Sequence, residues 1–126
     1  MKINAILIML TLALAPGSGF AHGERPVAAH GGDLQEAAEV WLELVVKGND
    51  VKVYVLDHAH KPIPASRVSG TATVLVEGRS HKVELSPAEG NAVQGTLPVS
   101  AMGRIVATVA LRIDGKPVSA RFTGAT

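Results

Sequence analysis

The most regular pattern along the chain is the run Val51-Lys52-Val53-Tyr54-Val55-Leu56-Asp57, in which valines alternate with other residues. Side chains point to opposite faces of a strand in turn, so this alternation predicts a β-strand with one buried face. Trp41-Leu42-Glu43-Leu44-Val45-Val46-Lys47 precedes it, and Gly48-Asn49-Asp50 between them is turn chemistry, so the two predict a hairpin. Alternation resumes over residues 70–77, 80–85, 92–97, 104–113 and 117–123, with Gly, Asn, Asp or Pro at the junctions. Seven short strands at intervals of roughly 8 to 15 residues predict an all-β fold, an antiparallel β-sandwich of immunoglobulin-like or cupredoxin-like topology.

Strand parity predicts the core. One face of each strand must be buried, which selects Leu42, Leu44, Val46, Val51, Val53, Val55, Ala72, Val74, Val76, Val83, Leu85, Ile105, Ala107, Val109, Leu111, Val118, Ala120 and Phe122. Before this domain the pattern is different. Residues 22–33 are Gly, Ala, Pro and His without apolar period, and 34–40 are compatible with a helical turn or with strand. Residues 22–40 are therefore expected as a flexible arm and 41–126 as the β-domain.

The amino terminus carries Lys2 and then the apolar run 5–15, which Pro16-Gly17-Ser18-Gly19 interrupts well short of the about 20 residues a membrane span needs. Gly19-Phe20-Ala21 supplies the small residues of a cleavage site, so residues 1–21 are expected as a signal peptide, cut after Ala21. No membrane span is expected after cleavage. The periplasm is the expected destination, with secretion as the alternative.

Composition narrows the function classes. The chain has no cysteine, which removes disulfides and thiol chemistry. Its net charge of +1 falls to zero once Lys2 is lost with the signal, so nothing attracts nucleic acid. The serines lie in turns and strands without a nucleophile elbow or a neighbouring base, and no Gly-rich loop leads from strand into helix, so an enzyme is not expected.

The candidate chemistry lies with histidine. His22 and His30 fall in the arm, and His58 and His60 follow the second strand in Asp57-His58-Ala59-His60. In extended backbone, residues two apart face the same side, so His58 and His60 are expected to present two imidazoles to one ion, with Asp57 orienting a ring or supplying an oxygen. Cleavage after Ala21 exposes His22 as a first residue whose α-amino group and imidazole chelate copper, nickel or zinc. The expected metal set is His22, His30, Asp57, His58 and His60. His81 shares parity with Val83 and Leu85 and is expected at the core margin. The alternative is a non-catalytic module that docks on an envelope protein.

The segments Val53-Tyr54-Val55-Leu56-Asp57-His58, Lys61-Pro62, Ala72-Thr73-Val74, Leu85-Ser86-Pro87-Ala88-Glu89-Gly90-Asn91 and Ala120-Arg121-Phe122 resemble those of small exported bacterial proteins associated with heavy-metal efflux systems. The resemblance covers most of residues 22–125 and implies a periplasmic β-domain, with an efflux component as a partner. A first-residue histidine is also similar to the CopC-like periplasmic copper carriers, and of that family's ligands it carries over only to His22.

Overall fold

A computed structural model describes residues 24–125. The expected signal peptide and His22 lie outside these residues. Eight strands follow one another: β1 Asp33–Ala37, β2 Val40–Lys47, β3 Asp50–Asp57, β4 Val68–Val76, β5 Arg79–Pro87, β6 Ala92–Thr96, β7 Arg104–Ile113 and β8 Lys116–Ala125. Among the described residues the only helical piece is a 3₁₀ turn, Ala65–Arg67. None of their helices is long and apolar enough to cross a membrane.

All neighbouring strands are antiparallel, in the order β1-β2-β3-β6-β5-β4-β7-β8. Strands β4, β5 and β6 form a meander whose outer strand β6 lies against β3, and the long β3–β4 connection makes this a Greek key. The expected all-β antiparallel fold is present, but its layout differs from the expected sandwich of seven strands in two stacked sheets. One sheet of eight strands curls until β1 and β8 lie side by side. The bend falls where β5 passes from β4 to β6, because β5 pairs with β6 only through Ser86↔Gln94 and Pro87↔Val93.

The strand missing from the expectation is β1, inside the segment 22–40 assigned to the arm. The β-domain starts at Asp33. The β1–β2 turn is Ala38–Glu39, and both residues have positive φ, 48° and 67°. Such a two-residue turn fits strand twist and ordinarily takes Asn or Gly, so Ala-Ala-Glu hides it. The Glu77–Gly78 and Asp114–Gly115 turns adopt the same conformation with the usual glycine.

The core follows parity. Sixteen of the eighteen expected core residues are buried in one cluster, and Val46 and Ala120 pack partly buried against it. The two ends of the curled sheet are closed by loops. Ile63 and Ala65 of the β3–β4 connection are buried over one end, tied by Ile63 N–H to Val55 C=O and Ala65 N–H to Gly90 C=O. Leu97 and Ala101 plug the other, donating to Asn49 C=O and Gly48 C=O.

Candidate functional site

Strand β2 is buried on both faces over four successive residues, 41–44. Leu42 and Leu44 point into the core, while Trp41 and Glu43, of opposite parity, are also buried. Glu43 is the only buried charged residue among those described, with 4% exposure. A buried carboxylate is costly unless its oxygens are hydrogen-bonded. The arm supplies the bonds: His30 N–H donates to Glu43 Oε2 at 2.9 Å, Gly32 N–H to the same oxygen at 2.8 Å, and the His30 ring joins Nδ1 to Oε1 at 3.0 Å.

The arm therefore lies along the outer face of β2 and then reverses into β1. Gly31, at φ 73°, makes the reversal, and a side chain at Gly32 would fall 2.3 Å from the Leu44 carbonyl oxygen. Only glycine tolerates both demands. Farther out on the arm, Arg25 donates to the Leu34 carbonyl oxygen at 2.8 Å and lies 5.7 Å from the Trp41 ring centre, in cation–π range.

Two aromatic rings on this face each carry a histidine. The His30 imidazole stacks on Tyr54 at 3.6 Å and 5°, and the His60 ring meets Trp41 edge-on at 6.3 Å. Tyr54 is the ladder partner of Glu43, and Leu56 that of Trp41, so the two seats are two residues apart along β2, roughly 7 Å. The structure thus places His30 and His60 over one face of β2 and β3.

The route by which His60 arrives differs from the expected one. Strand β3 ends at Asp57, and His58 and Ala59 form a turn that returns at Lys61, with His60 at φ 67°. His58 and His60 are not an extended His-x-His pair; His58 is exposed and His60 half-buried. Asp57 serves the turn itself, its Oδ1 accepting from Ala59 N–H at 2.8 Å and Lys61 N–H at 2.9 Å. The Lys61 bond holds the Asp57 carboxyl below its ordinary pKa, with the Ala59 bond and the charges of His58 and Lys61 adding to the effect against a smaller opposing desolvation. His81 is half-buried in β5, at the core margin as expected.

Among the described residues, no three of His, Asp and Glu form a group that could hold a metal ion by themselves. What the arrangement offers is an oriented imidazole. Glu43, as a carboxylate, is acceptor-only, so the ring hydrogen bond places the His30 proton on Nδ1 and leaves the Nε2 lone pair of the neutral ring for another partner. Glu43 was missing from the expected set because parity turns it toward solvent. The signal for it was the apolar company it keeps, since Trp41 and Val45 on the same parity mark a face covered by other chain.

Compared with known protein families, with characterised proteins and with solved structures, the chain matches none. The resemblance to efflux-associated proteins rests on the quoted segments alone.

Proposed function

We propose that this protein is an exported, non-catalytic metal-binding domain of the bacterial envelope, which receives copper, nickel or zinc at His30 and His60 and serves metal efflux or resistance. The observation that carries the reading is the Glu43–His30 pair. Metal-binding histidines almost always donate their second ring N–H to a carboxylate or carbonyl, which fixes the tautomer and raises the basicity of the ligating nitrogen. Here that partner is buried, bonded three times to the arm and paired with a ring held flat on Tyr54. Two imidazoles with solvent in the other positions make an exchangeable site, suited to handing an ion on. His22 completes a tighter one if the signal is cut after Ala21, through its α-amino group and ring. His58 and Asp57 become accessory in this reading.

The test is titration of the protein with copper(II), nickel(II) and zinc(II), alongside His30→Ala/His60→Ala and His58→Ala. The double variant is expected to lose stoichiometric binding and His58→Ala to keep it. Wild-type affinity in the double variant contradicts the proposal.

A second reading, a module that docks on an envelope partner such as an efflux adaptor, is favoured by the edge of β2 beyond Leu44, where Val45, Val46 and Lys47 have a ladder partner on the β3 side only.

A further inference from the structure

The outsides of the two halves of the curled sheet differ. The arm covers β2, whereas the outward side chains of the β5-β4-β7-β8 half are exposed or half-buried. The ladders set Lys82, Thr73, Thr108 and Arg121 in one row across the four strands, and Leu75 beside Val106 in the next. Short side chains therefore occupy the crest of this curved face and long cations its two flanks, three strand spacings or about 14 Å apart. Along β7, Arg104 and Arg112 stand on the same face near its two ends, about 27 Å apart.

The whole chain has a net charge of +1, yet on these strands Lys82, Arg104, Arg112 and Arg121 face outward with a single carboxylate, Glu84. Of the acids in the adjoining turns, Glu77 has Arg79 two residues on, and Asp114 is held by Arg67. Arg112 donates to the Gly115 carbonyl oxygen at 2.9 Å. The ion pairs among the described residues, His30–Glu43 and Arg67–Asp114, include none of the four cations. Apolar surface gathers at the Arg104 end. Leu75 is 39% exposed, its neighbour Val106 is half-buried, and Met102, two residues before Arg104, is 71% exposed.

We propose that this face docks on an anionic lipid bilayer, with Leu75, Val106 and Met102 entering the headgroup layer and the four cations meeting lipid phosphates. Long Lys and Arg side chains extend past short Thr and Ala ones, so their charged heads reach a planar surface that the curved backbone approaches only at β4 and β7. Each cation near an anionic membrane adds its own attraction, and no matched geometry is required. The exposed apolar group decides between a bilayer and an acidic protein. Carboxylates would satisfy the cations but set Leu75 and Met102 against charge, whereas a headgroup layer offers phosphates and acyl chain together. The surface lies on the other half of the sheet from Glu43, so docking does not depend on metal binding.

The experiment is co-sedimentation with lipid vesicles of protein collected after export, its mass confirming that the apolar run 5–15 is gone. The expected result is binding to vesicles of phosphatidylcholine and phosphatidylglycerol in equal parts, little to phosphatidylcholine alone, and release as salt rises. Arg104→Gln/Arg121→Gln should weaken binding about thirtyfold and Leu75→Ser/Met102→Ser about tenfold. Lys52→Gln/Lys61→Gln, which removes the same charge from the β3 side of the domain, should leave it unchanged. Equal binding to both kinds of vesicle, equal losses in the arginine and lysine pairs, or no binding overturns the proposal. Parent-like binding by Leu75→Ser/Met102→Ser, with release by soluble poly-glutamate, assigns the face to an acidic polypeptide and overturns it too.

Discussion

The interior of the curled sheet and the outer face of β2 are held in opposite ways. Inside, the contacts are many and alike: aliphatic side chains from every strand but β1 pack in one cluster, with Phe122 the largest of the fully buried ones. Outside, one carboxylate gathers three bonds from the arm, and two aromatic rings seat two histidines. Apolar packing is additive and non-directional, so the interior tolerates exchange of similar residues. A polar hub depends on direction and on one atom pair at a time, so the outer face is sensitive to single atoms. The part held by apolar packing is redundant and the part held by hydrogen bonds is not.

The largest expected effect breaks the redundant half at its biggest member. Phe122→Ala should destabilise the domain by about 3 to 5 kcal/mol, the ordinary cost of emptying a buried aromatic site. Urea unfolding measures it, and a loss below about 1 kcal/mol means the interior collapses around the vacancy.

Next comes the hub. Glu43→Ala strands the His30 and Gly32 amides and should cost about 1 to 3 kcal/mol. The same change should speed amide exchange at those two residues while leaving Val53 and Val109 protected. Glu43→Gln keeps an acceptor oxygen and should cost less. Equal losses for the two variants mean that the site reads side-chain volume rather than hydrogen bonding.

The β1–β2 turn sharpens the comparison from the other direction. Ala38→Asn/Glu39→Gly supplies residues that accept positive φ and should stabilise by about 1 to 2 kcal/mol, because each non-glycine residue there carries left-handed strain. Thermal unfolding reads the gain, and unchanged stability shows that the turn carries no strain.

The smallest effects belong to exposed carboxylates. Asp57 is held below the ordinary value of 3.8 first by the Lys61 amide, and Asp114 below it first by its hydrogen bonds from the Arg67 guanidinium. A carboxyl with a lowered folded pKa stabilises the fold above its unfolded value and ceases to do so as pH falls through the folded one. Stability should therefore decline below about pH 3.8, and Asp57→Asn or Asp114→Asn should each flatten that decline slightly. Both groups are exposed and screened, so the change should be the least of the four. A flattening confined to neutral pH contradicts the assignment.

The interior was legible because burial on one face of a strand writes itself into alternation. Val51, Val53 and Val55 show it without help, and Ile105 to Leu111 repeat it. Residues that cap the ends, such as Ile63 and Ala101, lie in loops where no period exists, and they escaped. Strand β1 escaped because its turn is made by Ala38 and Glu39, which carry no turn chemistry. Histidine type singled out His30 and His60, but that both lie over one face of β2 and β3 depends on a reversal at Gly31 and a turn around Asp57, neither of which spacing encodes. Glu43 looked solvent-facing because its cover comes from a segment without periodicity of its own.

The most direct test of the central claim is nitrogen NMR of histidine-labelled protein during zinc titration. The account predicts that His30 Nε2 shifts on metal binding while Nδ1 stays protonated toward Glu43, and that Glu43→Gln weakens zinc binding about 10- to 100-fold. A His30 ring that zinc leaves unchanged, or a Glu43→Gln variant that binds zinc as the parent does, contradicts it.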